Sequence, residues 1–229
     1  MMRTNPPKNR IKIFNATLLN WSKQFYRDFA WRTNRTPYKI YIAEVLLKRT
    51  TSKAASKIFE QFIEKYPSIS ELEHANEKEL EVIFKPVGLY KQRSSVIKKC
   101  TTYLIDSFNG NFPDTFEDLI KIPSIGPYSA ACILSFGMNI PIPTIDSNGI
   151  RVFSRVFQNN LGDKPSFNET LKFSFDTFPK KFHVNFNYGL IDFGALVCSY
   201  RGCKGNQCPL RNICDFFLKG KTQYFFPGG

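Results

Sequence analysis

Apolar residues recur three and four positions apart in seven segments of this 229-residue chain, a period typical of α-helices. The segments are KIYIAEVLLKR, SKIFEQFIEKY, QRSSVIKKCTTYLIDSF, YSAACILSF, GIRVFSRVF, NYGLIDFGALVC and PLRNICDFFL. Proline and glycine separate them at FKPVG, NGNFPD, IPSIGP and NIPIP, which predicts short turns between helices. No segment shows the convincing alternation of a half-buried strand. The sequence therefore predicts an all-α fold.

The charge of the chain favours a polyanionic partner. Lys and Arg together number 32 against 19 Asp and Glu, a net charge of +13, which favours nucleic acid over the alternative of a scattered basic surface. No apolar run approaches the roughly 20 residues that span a bilayer, and the N-terminal stretch lacks the apolar core of a secretory signal. We therefore expect an intracellular protein without a membrane partner, in the cytoplasm or nucleoid of a prokaryote or in the nucleus of a eukaryote.

Four of the six cysteines lie in CSYRGCKGNQCPLRNIC, at Cys198, Cys203, Cys208 and Cys214. In an intracellular protein, such density favours metal or iron–sulfur ligation over disulfides. Zinc sites usually show paired C-x2-C knuckles, which this segment lacks, so the spacing favours one [4Fe–4S] cluster over one zinc ion. Cys100 and Cys132 lie within apolar helical patterns and are interpreted as small buried side chains.

The stretch LIKIPSIGPYSAACIL predicts a tight turn between a short helix that ends near Lys121 and a second helix that begins near Tyr128. Backbone N–H groups at such a turn and at the start of the second helix point outward together, which would suit a DNA phosphate. A plain connection between two helices is the alternative interpretation.

Two carboxylates stand in informative surroundings. Asp146 opens DSNGIRVFSRVFQ, where it could cap a helix by accepting a backbone N–H. Glu44 has apolar neighbours on both sides in KIYIAEVLLK. Burial there would raise the pKa of Glu44, as suits a group that protonates or positions a leaving base. A glutamate at the solvent edge of the helix is the alternative.

Taken in order, the turn, the aspartate in IDSNGIRVFSR, NYGLIDFGALVC and the four-cysteine loop resemble the helix-hairpin-helix DNA glycosylases related to endonuclease III. The resemblance runs from about Trp31 to Asp215. It implies a six-helix barrel with the hairpin, residues 28–138, and a second helical domain, residues 1–27 and 139–229, which holds the iron–sulfur loop. The partner would be double-stranded DNA with a mismatched or damaged base, which is flipped out of the duplex. We expect a monomer.

The resemblance also implies the catalytic residues. Asp146 occupies the place of the catalytic carboxylate, which stabilises an oxocarbenium-like sugar or activates water. The stretch around Glu44 resembles the helix of mismatch-specific members, in which two basic residues and threonines follow a glutamate. Tyr128 stands where the glycosylase/lyases carry a lysine, and because a phenol cannot form a Schiff base, a monofunctional enzyme is expected.

The same comparison narrows the substrate. A tyrosine at this place is typical of thymine glycosylases that act on T·G mismatches and of some adenine glycosylases that act opposite oxidised guanine. The adenine enzymes usually carry a glutamine pair and an extra C-terminal domain, whereas this chain has LLKRTTSK and ends 15 residues after Cys214. We therefore expect release of T or U opposite G. The alternatives are release of A opposite G or 8-oxoguanine, a non-catalytic iron–sulfur DNA-binding module and a zinc-stapled interaction domain.

The expected DNA contacts form a larger set that includes the hairpin and a wedge in PVGLYKQR. They are Arg49, Leu89, Tyr90, Ser124, Ile125, Gly126, Tyr128 and Ser129. For Leu89 and Tyr90, turn packing is the alternative. The chain departs from the family pattern at three positions: Ser124 replaces a common glycine, Cys203 lies two residues earlier than the usual second ligand, and Gly149 replaces a bulkier residue.

Overall fold

The computed structural model describes residues 6–200 and 202–220. Within those ranges the chain forms thirteen α-helices and no β-strand, which confirms the all-α prediction. The helices are α1 (Lys8–Phe25), α2 (Pro37–Leu47), α3 (Ser52–Lys65), α4 (Ile69–Glu73), α5 (Glu77–Phe84), α6 (Tyr90–Phe108), α7 (Phe116–Leu119), α8 (Pro127–Cys132), α9 (Ser147–Val156), α10 (Gln158–Leu161), α11 (Phe167–Thr177), α12 (His183–Leu196) and α13 (Asp215–Leu218). None of the described helices combines the length and apolar character needed to cross a membrane.

The chain divides into two compact units. The continuous unit is Asp28–Ile140, and the terminal unit combines Met1–Arg27 with Pro141–Gly229. The resemblance had placed this boundary after residue 138. Residues 1–5, 201 and 221–229, which the predicted terminal domain includes, lie outside the described part of the chain.

In the continuous unit, α2 is the central helix. Thr36 caps its N-terminus by accepting the Lys39 N–H, and Pro37 occupies the first turn, where its missing N–H removes no hydrogen bond. Helix α8 continues as a π-helical turn, Ile133–Gly137, that packs against α2. A Cβ on Gly137 would lie 2.8 Å from the Pro37 backbone, so only glycine permits this approach. The contact holds α8 against the helix that carries Glu44.

In the terminal unit, α1 packs along α12, and α9 packs against α12 as well. Their shared core contains a cluster of phenylalanine rings, in which Phe14 lies 5.1 to 6.0 Å, centroid to centroid, from Phe153, Phe157 and Phe186. All four rings are completely buried, and burial of one such side chain contributes about 1.5–3 kcal/mol. This core gives α9, and hence Asp146 at its start, a rigid support.

Candidate active site and four-cysteine loop

Asp146 is the N-cap of α9. Its Oδ1 accepts the Gly149 N–H at 2.7 Å, and its Oδ2 accepts an N–H from Asn148 Nδ2 at 2.9 Å. Burial raises the pKa of the Asp146 carboxyl above its ordinary value, while the hydrogen bonds from Gly149 and Asn148 oppose that rise. The capping interpretation is therefore correct, and the carboxylate is half-buried and fixed in direction. Both properties suit a group that must stabilise a developing cation.

Asn148 is itself held by Arg151. The Arg151 Nη2 donates to Asn148 Oδ1 at 2.6 Å and to the Gly194 carbonyl at 2.7 Å, and its Nε donates to the Cys198 carbonyl at 2.8 Å. Because the amide oxygen of Asn148 faces a cation, its NH2 group must face Asp146. Hydrogen bonds thus connect the Asp146 carboxylate, through two side chains, to the backbone of the four-cysteine loop. Sequence reasoning missed both side chains, although their i, i+3 spacing on a helix was visible.

Two glycines allow the backbone to pack closely around this group. A Cβ on Gly194 would lie 2.5 Å from Asn148 Cβ, which no packing tolerates without movement. A Cβ on Gly149 would meet Ile145 and Leu190 side chains at 3.4 Å, at the edge of ordinary contact. Gly194 therefore lets α12 approach the first turn of α9.

The segment that precedes Asp146 is held from the other side by Asn187. This completely buried side chain donates from Nδ2 to the Ile142 carbonyl at 2.9 Å and accepts the Thr144 N–H at 3.3 Å through Oδ1. The proline-rich stretch lacks regular secondary structure, so Asn187 satisfies backbone groups that a helix would otherwise pair. Sequence reasoning did not identify this residue.

Glu44 lies on α2 in the continuous unit. The residues on either side of it, Ala43 and Val45, are buried, but Glu44 itself is only half-buried. Its Oε2 accepts the Ser129 hydroxyl at 3.4 Å, a long hydrogen bond. Ser129 and Tyr128 are neighbours on α8, and both are half-buried. The structure therefore brings Glu44 close to the predicted DNA contact Ser129. Because Glu44 is half-buried, its surroundings are intermediate between the fully buried position and the solvent-edge position that the sequence allowed.

The predicted hairpin joins α7 and α8. Helix α7 ends at Leu119, two residues before the predicted position, and α8 begins at Pro127, next to the predicted Tyr128. The Ile125 side chain is buried, and its N–H donates to the Ile122 carbonyl at 3.1 Å. Of the predicted contacts at the bend, Ser124 and Gly126 are the exposed ones.

Ser124 has a φ of +71°, in the left-handed region that glycine adopts without steric penalty. A residue with a Cβ is destabilised by roughly 1–2 kcal/mol in this region. The backbone thus adopts the conformation that a glycine would permit at this family position, even though the chain carries serine. The departure noted from the sequence has a local steric consequence and leaves the turn intact.

The four cysteines of the terminal loop form no disulfide. Burial raises the pKa of Cys208 and of Cys214 to about 11. The other two are half-buried: Cys198 Sγ accepts an N–H from Arg155 at 3.4 Å, and Cys203 Sγ accepts the Gly205 N–H at 3.4 Å. Within residues 6–200 and 202–220, no group of three or more His, Cys, Asp or Glu side chains is arranged so that it could hold a metal ion. The unpaired thiols suit a thiolate-binding cofactor, whose positive charge would favour their deprotonation.

Known proteins are similar to this chain in sequence and in fold. A sequence profile described as "HhH-GPD superfamily base excision DNA repair protein" matches residues 42–173. Adenine DNA glycosylase of Buchnera aphidicola subsp. Baizongia pistaciae is 34% identical over 91% of this chain, which spans 60% of that relative's length. Thymine/uracil-DNA glycosylase of Pyrobaculum aerophilum is 31% identical over 90% of this chain and 92% of its own.

Solved structures of other proteins show the same fold. A thermostable thymine-DNA glycosylase superposes with a TM-score of 0.88 at 28% identity, covering 92% of this chain and 98% of that one. A non-covalent endonuclease III–DNA complex gives 0.79 at 26% identity, with 94% and 99% covered. The chain belongs to the HhH-GPD superfamily of base excision DNA repair proteins. The family resemblance seen in the sequence is thereby confirmed.

Proposed function

We propose that this protein is a monofunctional DNA glycosylase that releases T or U opposite G. The observation that carries the proposal is the half-buried, doubly hydrogen-bonded Asp146 at the start of α9, where the sequence resemblance implies the family's catalytic aspartate. Relatives named thymine/uracil-DNA glycosylase align with this chain over nearly their whole length, 92% and 96%. The substrate would be double-stranded DNA with the target base flipped out of the stack.

In the proposed reaction, the bond between C1′ of the sugar and the base nitrogen breaks, and its electron pair leaves with the base. The sugar becomes oxocarbenium-like, and the Asp146 carboxylate stabilises that positive charge in surroundings of low dielectric constant. Water then adds to C1′ and gives its proton to Asp146 or to solvent. Glu44 would supply or direct the proton that neutralises the departing base. The products are the free base and an abasic site.

We expect the DNA strand to stay intact after base release. Tyr128 offers no amine, so no Schiff base with the sugar can form, and borohydride should trap no protein–DNA adduct. The test incubates the full chain with labelled duplexes that carry T, U, A or 5-methylcytosine opposite G or 8-oxoguanine. Alkali is then added to one half and borohydride to the other. Tyr128→Phe, which also lacks an amine, is the matched control for Tyr128→Lys, the variant that could gain an adduct.

The result could contradict either part of the proposal. Efficient borohydride trapping by the wild-type chain would show a lyase. The adenine alternative draws support from the 34% identity to a Buchnera adenine DNA glycosylase. Rapid release of A opposite 8-oxoguanine without action on T·G would establish that alternative. Release of no base from any duplex that the protein binds would leave the non-catalytic DNA-binding module.

The proposal includes a [4Fe–4S] cluster held by the four thiols of the terminal loop, Cys198, Cys203, Cys208 and Cys214. Support comes from their density and lack of disulfides. It also comes from the resemblance to endonuclease III that implies the cluster, since endonuclease III of Thermotoga maritima is 26% identical over 80% of this chain. When bound, the cluster would cross-link a loop that has little regular structure. We expect a brown preparation with about four iron atoms per chain.

Cysteine variants test two of the proposed ligands of that cluster. Cys208→Ala should lose the iron, whereas Cys100→Ala, which alters a buried cysteine outside the loop, should keep it. Cys203→Ala decides whether the shifted cysteine is a ligand. A colourless anaerobic preparation that contains one zinc ion and no iron would overturn the cluster.

A further inference from the structure

Arg93 is a buried cation in the first turn of α6. Only 3% of it is exposed. Its Nε donates to the Gly88 carbonyl at 2.9 Å, its Nη1 donates to the Val45 carbonyl, and its Nη2 lies within hydrogen-bond distance of three further oxygens. All of its partners among the described residues are neutral oxygens, which is unusual because buried charges are normally paired with carboxylates.

Four of those five oxygens belong to two separate turns, and the fifth, the Val45 carbonyl, belongs to α2. The first turn, 48–50, follows α2, and there Arg93 contacts the Lys48 carbonyl and the Thr50 hydroxyl, both at 2.7 Å. The second turn, 87–89, precedes α6, and there Arg93 contacts the carbonyls of Val87 and Gly88. The Thr50 hydroxyl is also 3.1 Å from the Val87 carbonyl. A planar guanidinium with five N–H donors can bridge both turns at once, which the three donors of an ammonium group cannot do in the same plane.

Each turn carries one exposed non-glycine residue in the left-handed region that favours glycine. Arg49 has a φ of +56° and Leu89 a φ of +52°. Non-glycine residues persist in that region only where the surrounding structure holds them, and such positions concentrate at ligand-binding sites. A cavity of about 320 Å³ is lined by Arg49, Leu89 and Arg93, among others. The two residues with strained backbone thus flank one concave surface, and Arg93 forms part of its wall.

We propose that Arg93 is a positioning residue that fixes Arg49 and Leu89 as one preorganised pair of contacts for the mismatched base pair. This inference rests on the proposed function, because it assigns the pair a DNA partner. Two turns already held in their bound conformation lose little conformational entropy when DNA binds. Non-specific binding depends mainly on phosphate charge, so loosening the turns should weaken recognition of a mismatch more than binding to a perfect duplex.

The test uses Arg93→Met and Arg93→Lys in the full chain. The matched control is Lys98→Met, on the same helix, because Lys98 also donates to two backbone carbonyls, those of Glu73 at 2.7 Å and Ala75 at 3.0 Å, but touches neither turn. For each variant we would measure the Kd for a T·G duplex and for a G·C duplex at one salt concentration, and the single-turnover excision rate at saturating protein. Circular dichroism would establish that each variant is folded.

We expect the preference of both Arg93 variants for T·G over G·C to fall by about tenfold. Both variants should also excise more slowly at saturation, because part of the binding free energy is then used to order the two contacts. Lys98→Met should stay within about twofold of wild type in both measurements. A purely structural role would lower the folded fraction but leave the Kd ratio of the folded protein unchanged.

An unchanged ratio in folded Arg93→Met would overturn the proposal, as would an equal loss in Lys98→Met. If Arg93→Met does not fold, Thr50→Val decides. It removes only a hydroxyl, which contacts Arg93, the Val87 carbonyl and the Lys48 carbonyl. A wild-type ratio in that variant would count against the proposal. A wild-type chain that excises no base would contradict the proposed function alone, because the binding ratio does not depend on excision.

Discussion

Asp146→Asn is expected to keep the fold and DNA binding while base release slows by about 10³-fold or more. The amide retains a side-chain oxygen for the Gly149 N–H, and asparagine caps helices as well as aspartate does. What it lacks is the negative charge that opposes the oxocarbenium-like sugar. Single-turnover excision at saturating protein measures the effect. A rate near that of wild type would leave Asp146 as a helix cap only.

The same substitution should also change how the stability of the protein depends on pH. Burial raises the pKa of folded Asp146 above its unfolded value, so as pH rises, the unfolded chain releases this proton first. The contribution of Asp146 to stability is therefore greatest at low pH and is lost as pH rises through the folded pKa. Wild type should therefore lose stability relative to Asp146→Asn as pH rises from about 4 to neutral.

Asp118→Asn is the matched control for that pH dependence. Asp118 lies near the surface, with 35% of its side chain exposed, and the hydrogen bond from Lys121 lowers its pKa. Its contribution to stability is therefore present at neutral pH and lost as pH falls. Its amide variant should therefore be slightly less stable than wild type at neutral pH. Denaturant unfolding at several pH values checks both signs. If the stability difference from wild type changed with pH in the same direction for both variants, burial of Asp146 would not be the cause of its pH dependence.

Gly194→Ala is expected to reduce both stability and excision. The new methyl group would lie 2.5 Å from Asn148 Cβ, so α9 and α12 must separate. Overpacking of this kind typically lowers the free energy of unfolding by about 1–3 kcal/mol, and each kcal/mol shifts Tm by about 2–4 °C in a chain of this size. Because Asn148 donates to Asp146, the displacement also moves the carboxylate, and a shift near 1 Å can slow a reaction about 10²-fold.

The control for this prediction is Gly202→Ala, because a Cβ there meets no atom within 4 Å. It should change neither Tm nor excision rate appreciably. Thermal unfolding and single-turnover excision would be measured on both variants. If Gly194→Ala excised at the wild-type rate despite a lower Tm, the position of Asn148 would not matter to Asp146.

Local patterns were enough to predict several features of this protein. Helical periodicity predicted α2, α3, α6 and α12 because side chains three and four residues apart share a helix face. Asp146 was recognisable as a cap because its partner, the Gly149 N–H, is only three residues away. The ordered motifs together indicated the family more specifically than any one of them. Boundaries were less secure, since α7 ends before Lys121 and α8 passes into a π-helical turn.

Tertiary structure alone decided which residues surround these features. In YKQRSS, Arg93 resembles any basic surface residue, yet its guanidinium is buried against carbonyls up to 48 residues away in sequence. Arg151 reaches Gly194 and Cys198 across 43 and 47 residues, and the need for glycine at Gly194 arises from Asn148 on another helix. Such contacts form only when burial of the apolar core brings distant segments together. A pattern that spans four or five residues records local geometry and contains no information about those partners.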